Sequence, residues 1–571
     1  MAAFNCFVPK LTKLLCMQRP RMFWKRQKLR NSYCCLLKRT ATTGVESLRD
    51  DGVPYLITTP IFYVNAAPHI GHLYTVMLAD AACRWQRLKG QQVLFSVGTD
   101  EHGLKIQQAA ESHNTSPQLY CDRVSAMFKD LFEKGNITYN EFIRTTENRH
   151  FEAVQTFWEI LQNRGYIYKG QYEGWYSISD EAFLTDEEVQ DTTSHDGKVQ
   201  KVAVSSGQPV TWMKEENYIF RLSAFNQQLT SWLDAKVIQP AQFEPLVRSW
   251  VENLPDLSVS RQRQRLSWGI PVPGDSSQTI YVWLDALINY LTVAGYPSKF
   301  QHAYWPPACQ VIGKDILRFH AVYWPAFLFA AGLSPPSKIL CHSHWLVDGH
   351  KMSKSRGNVV DPMDRLERYT ADGLRYFLLK EGAYTSDGNY SDARVVERIN
   401  SDLVNSIGNL LNRVTAPSVN KQQYFPALDD ITDLSKFLSQ EDVEKYHSLA
   451  ELADQISLLY DDYAFSRALD KLLTHIYWAN GLVQAHAPWV LAKSSDAESQ
   501  RHLKTILHVA METLRICGIL LQPVIPVLSD RMLTRLGVSQ TDRGIADCKQ
   551  NSLPILLGSQ VLLLNRISAS K

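Results

Sequence analysis

YLITTPIFYVNAAPHIG, residues 55–71, is the stretch that decides the fold of this chain. Its first half, up to Val64, is rich in apolar and β-branched residues, as expected of a short buried strand. Pro68 resists the interior of a helix, but the chain beyond it has apolar side chains at helical spacing, namely Leu73, Met77 and Ala81. The sequence therefore predicts a strand that leads through a loop into a helix beginning at about Gly71.

Two histidines, His69 and His72, lie three residues apart where this helix begins. A helix N-terminus has unpaired N–H groups and partial positive charge, so it suits an anion. Two imidazoles that donate hydrogen bonds there can hold a phosphate that gains charge during a reaction. Taken alone, such a pair is more often a surface or structural one.

A second basic segment, KMSKSRGN at residues 351–358, lies about 280 residues downstream. Its lysines are separated by small hydroxyl residues and stand between Gly349 and Gly357, which favours a cationic loop suited to phosphates. A solvated basic turn is the alternative for this segment alone. The two segments together, in this order, are much harder to obtain by chance than either one.

With both segments in place, the sequence resembles the class I aminoacyl-tRNA synthetases, whose two signatures are HIGH and KMSKS, and it is most similar to the methionyl-tRNA synthetases. The resemblance implies an α/β fold, with a Rossmann-like parallel-sheet catalytic domain, an inserted α/β connective domain and a C-terminal α-helical bundle. It also implies that L-methionine is activated by Mg-ATP to methionyl-adenylate and then transferred to the 3′ end of mitochondrial methionine tRNA. A cysteinyl enzyme and a small-molecule nucleotidyltransferase remain as alternatives.

The nucleotide site is the first that the resemblance implies. An acid can accept hydrogen bonds from two ribose hydroxyls, which suits Asp315, although a helix-capping role is the alternative. The resemblance assigns catalytic contacts with the phosphates to His69, His72, Lys351 and Lys354. The full set of ATP-binding residues that it implies is His69, Gly71, His72, Gly313, Asp315, Lys351, Met352, Ser353, Lys354 and Ser355.

A site for the amino acid is expected beside the nucleotide. Asp100 follows the predicted buried strand Gln92–Val97, and ligands of parallel sheets collect beyond the carboxyl ends of strands, where a carboxylate can hold an ammonium group. In the segment 279–290, Trp283, Ala286 and Tyr290 fall three and four residues apart and share one helical face. The aromatic rings on this face suit contact with a thioether. A turn aspartate and ordinary core aromatics are the alternatives. The resemblance implies a methionine site made of Ile61, Tyr63, Asp100, Trp283, Ala286, Tyr290 and His320.

Charge is distributed unevenly along the 571 residues, which have a net charge of +2. Residues 1–45 contain ten Lys or Arg and no Asp or Glu. This acid-free composition, without a secretory apolar core, predicts a mitochondrial transit peptide over residues 1–43 and a location in the mitochondrial matrix. A basic arm that binds nucleic acid is the alternative. The rest of the chain is not strongly basic, so nucleic-acid contacts must come from local patches.

Cysteine placement argues against a structural zinc site. No cysteine occurs between Asp122 and Ala308, the stretch that includes the predicted insert, and the six cysteines beyond the presequence form no CxxC pair. We therefore expect free thiols and no structural zinc. His342 and His344 are interpreted as strand residues rather than metal ligands. The uncharged run Phe319–Ser337 is interrupted by His320 and prolines, so it is interpreted as a buried helix, and no membrane contact is expected.

The predicted domains follow from these segments. From Asp392 onward the apolar pattern is helical for nearly 140 residues, which predicts a bundle. The resemblance implies that this bundle binds the anticodon, with Asn405, Arg413 and Trp489 as contacts. A monomer is expected. The predicted ranges are 44–165 and 267–391 for the two halves of the catalytic domain, 166–266 for the insert, 392–535 for the bundle and 536–571 for a C-terminal tail.

Overall fold

The structure is a computed structural model. It describes residues 54–177, 182–184, 186–193, 199–204, 207–352, 357–382, 385–428, 431–549 and 554–568. The predicted transit peptide lies outside these ranges, and so do Ser353, Lys354 and Ser355 of the basic segment.

A seven-stranded parallel sheet forms the centre of the catalytic domain. Its strands are β1 (Tyr55–Thr58), β2 (Phe62–Tyr63), β3 (Val93–Asp100), β4 (Glu141–Arg144), β10 (Ile238–Gln239), β15 (Cys309–Gly313) and β16 (Ile339–His342). Their order across the sheet is β10, β16, β15, β1, β3 and β2, with β4 also paired to β3. This order confirms the predicted Rossmann-like fold.

The helix predicted from the deciding stretch is present and begins at Ile70. Its apolar face is buried against the sheet, with Leu73, Met77 and Trp85 fully enclosed. Burial of such side chains contributes about 1.5–3 kcal/mol each, so this face fixes the helix on the sheet. The helices of the first half are α1 (Ile70–Leu88), α2 (Leu104–Ser112), α3 (Pro117–Lys134) and α4 (Asn148–Asn163).

One prediction for the first half is wrong. The helical spacing of apolar side chains over residues 105–165 predicts helices, but β4 also lies within this range and pairs with β3. The pairing is close at Gly98, where a Cβ atom would lie 2.2 Å from the carbonyl oxygen of Ile143. Only glycine fits that contact, so Gly98 holds the two strands at this spacing.

The elements of the insert are β5 (Ile167–Ser177), β6 (Ala182–Leu184), β7 (Val189–Thr193), β8 (Val199–Ala203), β9 (Val210–Phe220), α5 (Asn226–Leu233), α6 (Glu244–Glu252) and β11 (Leu257–Ser258). Four of the strands form an antiparallel sheet in the order β11, β9, β5, β6, and β7 pairs with β8. The strand β10 falls in the predicted range 166–266 but belongs to the parallel sheet. The boundaries of the insert stay a prediction.

The second half of the catalytic domain returns the chain to the parallel sheet. It contains β12 (Ser260–Gln262), β13 (Pro271–Val272), β14 (Asp275–Ile280), α7 (Val282–Val293), a 3-10 turn (Lys314–Ile316), a π-helical turn (Phe319–Tyr323), α8 (Trp324–Ala331), β17 (Trp345–Val347), β18 (His350–Lys351), α9 (Pro362–Tyr369), α10 (Ala371–Glu381) and β19 (Gly388–Tyr390). The uncharged run includes the π-helical turn and α8, whose residues are mostly buried. Across the described ranges, no helix has both the length and the hydropathy of a membrane span.

The C-terminal helices form the predicted bundle. They are α11 (Asp392–Arg398), a π-helical stretch (Ile399–Gly408), α12 (Asn409–Thr415), α13 (Thr432–Phe437), α14 (Gln440–His447), α15 (Leu449–Asp461), α16 (Phe465–His486), α17 (Pro488–Leu491), α18 (Ala497–Leu521) and α19 (Pro526–Arg535). The long helices α16 and α18 pack against each other. The C-terminal segment returns to the bundle, because β21 (Ile555–Leu556) pairs with β20 (Tyr424–Phe425).

The six cysteines in the described ranges are free thiols, as predicted. All six are buried, and they are Cys83, Cys121, Cys309, Cys341, Cys517 and Cys548.

Candidate active site

A cavity of about 360 Å³ lies beyond the carboxyl ends of β1, β3, β15 and β16. It is lined by all the predicted nucleotide and methionine residues that fall in the described ranges: Ile61, Tyr63, His69, Gly71, His72, Asp100, Trp283, Ala286, Tyr290, Gly313, Asp315, His320, Lys351 and Met352. Residues from distant parts of the sequence therefore meet in one place. The cavity has two chemically different ends.

The first end is the N-terminus of α1, where the two histidines cap the helix. His69 is the N-cap residue, and its Nδ1 accepts a hydrogen bond from the backbone N–H of Gly71 at 3.1 Å. The Nδ1 of His72 accepts from the backbone N–H of His69 at 3.2 Å. The two rings stack with centroids 3.7 Å apart. Since each Nδ1 accepts a hydrogen bond, the proton of each neutral ring lies on Nε2, where it can be donated.

Both rings are neutral at physiological pH. Burial lowers the pKa of His69 to about 4, with further contributions from His344 and Lys351. Burial, followed by the neighbouring His69, holds the pKa of His72 well below its usual range. A neutral imidazole can donate a hydrogen bond to a phosphate oxygen without first losing a proton, so the pair can act as fixed donors.

Gly71 makes the close approach of the His69 ring possible. A Cβ atom at this position would lie 2.9 Å from Cε1 of His69, which is closer than real contacts allow. Any larger residue would push the imidazole out of its capping position. The glycine of the first signature therefore keeps the histidine pair in place.

The second end of the cavity is rich in aromatic side chains. Trp283 stacks on Phe319 with ring centroids 3.7 Å apart. The hydroxyl of Tyr290 lies 2.7 Å from Nε2 of His320, and Nδ1 of His320 donates to the carbonyl oxygen of Ile316 at 3.0 Å. Because Nδ1 carries the proton, Nε2 accepts from Tyr290. Burial lowers the pKa of His320 to about 4, so this pair is uncharged.

Asp100 provides a carboxylate in the same cavity. It closes β3, and its backbone is paired with Tyr63 of β2. Only 7% of the residue is exposed, and it lines the cavity. A carboxylate in this position can bind a cationic group of a ligand that also fills the apolar end.

Asp315 connects the cavity to the second basic segment. Its carboxylate accepts from Nζ of Lys351 at 2.7 Å and lies 2.9 Å from Nε2 of His344. Burial alone would raise the pKa of Asp315, but His344 and then Lys351 lower it well below its usual range. The contact between Asp315 and Lys351 therefore connects the first residue of the basic segment to the end of β15, which is Gly313.

Several cavity residues were missed by the sequence analysis. Thr75, Asn289 and His342 line it, and Nε2 of His342 lies 2.8 Å from Oγ1 of Thr75. Asn289 follows Ala286 by three residues on α7, so the helical spacing could have identified it. The prediction that His344 is a strand residue is wrong, since it lies beyond the end of β16 and contacts Asp315. His342 is the last residue of β16, as predicted.

The predicted anticodon residues all lie on the helical bundle. Asn405 is exposed on the π-helical stretch, and its Oδ1 lies 3.4 Å from Nη1 of Arg566. Arg413 on α12 reaches toward α16, and Trp489 on α17 is half-buried against the bundle. Arg413 and Trp489 both border the C-terminal end of α16, whereas Asn405 contacts the C-terminal segment. Their role in binding RNA stays a prediction.

Among the residues that the structure describes, no three His, Cys, Asp or Glu side chains form a metal-binding group. The expectation that the chain lacks structural zinc stays a prediction.

The comparisons with known proteins agree with the geometry. Residues 55–415 match the family model of tRNA synthetases class I (M). A mitochondrial methionine–tRNA ligase of Homo sapiens is 49% identical over 91% of this chain and 93% of its own length. The corresponding mouse protein is 51% identical over 86% of each chain.

The structural match is equally extensive. A methionyl-tRNA synthetase of Mycobacterium tuberculosis, solved in complex with methionyl-adenylate, superposes with a TM-score of 0.84 at 38% identity. The match covers 89% of this chain and 99% of that chain. These findings favour methionine over the cysteinyl alternative. The chain therefore belongs to the class I aminoacyl-tRNA synthetases, within the methionyl-tRNA synthetase family.

Proposed function

We propose that the cavity binds L-methionine and ATP next to each other and forms methionyl-adenylate in place. As a methionine–tRNA ligase, the chain then transfers methionine to the 3′ end of methionine tRNA. The observation that carries this proposal is the single cavity, in which Asp100 and an apolar aromatic end adjoin two neutral imidazoles. The presence of methionyl-adenylate in the similar Mycobacterium tuberculosis structure supports the same site for this chain.

The apolar end is proposed to recognise the methionine side chain. Asp100 binds the ammonium group, and Trp283 and Tyr290 provide ring contacts for the thioether, worth about 0.3–1.5 kcal/mol. Ala286 leaves space between these rings, while Ile61, Tyr63 and His320 complete the proposed contacts. A lysine or arginine side chain would bury an unpaired charge against the neutral Tyr290–His320 pair, so cationic side chains are excluded.

The histidine end is proposed to stabilise the transition state. A carboxylate oxygen of methionine attacks the α-phosphorus of ATP, the bond to the bridging oxygen breaks, and pyrophosphate leaves with its electron pair. His69 and His72 donate from Nε2 to phosphate oxygens whose charge increases during this step. In the second step a ribose hydroxyl oxygen of the terminal adenosine of the tRNA attacks the carbonyl carbon, the bond from that carbon to the phosphate oxygen breaks, and AMP leaves with its electron pair while the hydroxyl proton passes to the departing phosphate.

The remaining nucleotide contacts follow from the family signature. Asp315 binds the ribose hydroxyls, Gly313 allows the nucleotide to lie close to the end of β15, and Lys351 with Met352 borders the phosphates. The same signature assigns Ser353, Lys354 and Ser355 to the phosphates, with Lys354 as a catalytic cation. Binding of the ribose at Asp315 would release Lys351 from its present contact and make its charge available to the phosphates.

Mg²⁺ is proposed to enter with ATP. The imidazoles and the lysine around the N-terminus of α1 do not suit this ion, and the nearby Asp315 carboxylate is already paired with Lys351 and His344, so phosphate oxygens rather than protein groups would hold it. Bound there, it neutralises phosphate charge. The chain's own residues supply the hydrogen bonds and the position of the substrate.

The cellular setting is also inferred. Curated relatives from several species are mitochondrial methionine–tRNA ligases, which supports a mitochondrial enzyme. We propose that residues 1–43 direct the chain to the matrix, that it acts there as a monomer without membrane contact, and that its tRNA partner is the mitochondrial methionine tRNA. Asn405, Arg413 and Trp489 are proposed to bind the anticodon.

Replacing Trp489 by alanine tests the role of the bundle. An aromatic ring that stacks on an unpaired base contributes about 1–3 kcal/mol, so KM for the tRNA in aminoacylation should rise by about tenfold or more. Methionine-dependent exchange of pyrophosphate into ATP without tRNA should stay within about twofold of the unmodified chain. Trp232 of α5 is half-buried and lies outside the bundle, so Trp232→Ala is the matched control. Equal losses in exchange and charging for Trp489→Ala would show that the bundle is not a separate anticodon reader.

The proposed function is tested by charging. The chain beginning near residue 44 is incubated with labelled methionine, ATP, Mg²⁺ and a transcript of mitochondrial methionine tRNA. Acid-stable incorporation into RNA is expected, and it should be lost when methionine is replaced by cysteine. Charging with cysteine, or formation of an adenylate without transfer to any tRNA, would contradict the proposal.

A further inference from the structure

Asp285 has a buried carboxylate whose two oxygens each contact a different histidine. Oδ2 lies 2.7 Å from Nδ1 of His102, and Oδ1 lies 2.7 Å from Nε2 of His150. The three residues are 1%, 2% and 0% exposed. On its other side, Nδ1 of His150 lies 2.9 Å from Oγ1 of Thr292. These distances leave no space for a cation between the groups, so they describe a hydrogen-bonded network.

The network joins the two segments that carry the proposed methionine contacts. Asp285 lies in the first turn of α7, between Trp283 and Ala286. His102 follows Asp100 by two residues in the loop after β3. The hydrogen bond between Asp285 and His102 therefore fixes the aromatic wall of the cavity relative to the carboxylate proposed to bind the ammonium group.

The loop that carries His102 is held from the other side as well. The ring of His102 packs against Phe151 and Trp268, with centroids 5.5 Å and 5.7 Å away. The indole N–H of Trp268 donates to the carbonyl oxygen of Glu101 at 2.5 Å, and the N–H of Gly103 donates to the carbonyl oxygen of Trp268 at 3.1 Å. The hydrogen bond between His102 and Asp285 adds a contact from α7 to those that Phe151 and Trp268 make with this loop.

Stability alone does not account for a charge at this position. Burial by itself would raise the pKa of Asp285, but His102 and then His150 lower it to about 2, so the carboxylate is ionised. Two buried polar partners of this kind generally contribute no more to folding than apolar residues of the same volume would. A fully satisfied polar network does, however, fix one relative position of the segments that it joins.

We infer that Asp285, with His102 and His150, is a positioning residue for the amino acid: the network holds α7 and the Asp100 loop at the separation that methionine requires. This inference rests on the proposed function of the cavity. It extends that function to three residues that do not line the cavity. An error of about 1 Å in such a position can cost about a hundredfold in rate.

The test compares two replacements of His102 in the full enzyme. Asparagine keeps a donor at the place of Nδ1, whereas leucine removes it. In pyrophosphate exchange, His102→Leu should raise KM for methionine by about tenfold or more while KM for ATP stays within about twofold. His102→Asn should recover KM for methionine to within about threefold of the unmodified chain. His150→Gln, which keeps the Nε2 donor, should behave like His102→Asn.

Controls separate positioning from folding. His508 of α18 is buried and hydrogen-bonded at both ring nitrogens, to Tyr446 and to Pro426, so His508→Leu is the matched control and should leave KM for methionine unchanged. If His102→Leu does not fold, Thr292→Val removes the outer hydrogen bond to His150, together with a local one to the carbonyl oxygen of Ile288 on the same helix, and should raise KM for methionine by about twofold to threefold. Equal KM values for the asparagine and leucine variants, parallel rises in both KM values, or no change with Thr292→Val would overturn the inference. Absence of methionine-dependent exchange in the unmodified chain would instead overturn the proposed function, and the inference with it.

Discussion

Replacing His72 by alanine is expected to lower kcat/KM for methionine-dependent pyrophosphate exchange by about a hundredfold or more, because one donor to a developing phosphate charge contributes about 2.7–4 kcal/mol. The ring is neutral, its Nδ1 is occupied by the backbone of His69, and its Nε2 proton is therefore available to the ligand. Steady-state exchange rates over a range of ATP and methionine concentrations measure the effect.

Two further substitutions separate donation from helix capping. Asparagine at position 72 keeps an acceptor near the place of Nδ1 and loses the outer donor, so His72→Asn should be stable but as slow as His72→Ala. Glutamine keeps a donor near the place of Nε2, so His72→Gln should recover at least about tenfold of the lost rate. Because it loses the acceptor that caps the helix, this variant should be less stable by about 1 kcal/mol. Equal activity for the asparagine and glutamine variants would show that His72 is only a capping residue.

Replacing Arg375 by alanine is expected to lower the free energy of unfolding by about 3–5 kcal/mol, because it removes the cation that most stabilises the buried Asp80 carboxylate, which then keeps Arg84 and Thr138, and it leaves two buried carbonyl oxygens without this donor. Arg375 is fully buried on α10, and its Nη2 lies 2.8 Å from Oδ2 of Asp80 on α1. The same guanidinium donates to the carbonyl oxygens of Pro523 and Val524 at 3.1 Å each. It therefore links the helix of the first signature to the bundle.

Urea unfolding followed by circular dichroism measures this loss. Arg375→Lys should recover little, since one ammonium group cannot reproduce the planar fork that reaches all three partners, Asp80, Pro523 and Val524. The control is Arg394→Ala, which removes an exposed ion pair with Glu381 and should cost less than about 1 kcal/mol. A similar shift for the Arg375 and Arg394 variants would contradict the structural role given to the buried pair.

Local patterns in the sequence predicted much of the fold. The apolar spacing after Pro68 located α1 within one residue, and the helical spacing of Trp283, Ala286 and Tyr290 placed all three on the cavity. These features are encoded by neighbouring residues, because burial of one helix face determines them.

Strands that form only by pairing with distant parts of the chain could not be predicted from the sequence. β4 is four residues long, with Glu141 and Arg144 at its ends, and it becomes a strand only because β3 lies beside it. The two-residue strand β10 joins the parallel sheet from within the range predicted as the insert for the same reason. The tertiary environment overrides weak local preference in such short segments.

The cavity residues also fall into those that the sequence pattern predicts and those that only the fold reveals. The two signatures and the aromatic face identified residues that carry a recognisable pattern, whereas His344 and Thr75 have no distinguishing spacing in the sequence. Their part in the site follows from their contacts with Asp315 and His342. The network around Asp285 likewise unites residues more than a hundred positions apart, and only the folded chain shows it.

The most direct test of the account is pyrophosphate exchange into ATP by the chain beginning near residue 44, with each of the twenty amino acids in turn and no tRNA. Exchange is expected with methionine alone, and it should be lost in Lys354→Ala. Exchange with a different amino acid, or with none, would contradict the assignment of the cavity as the site of methionine activation.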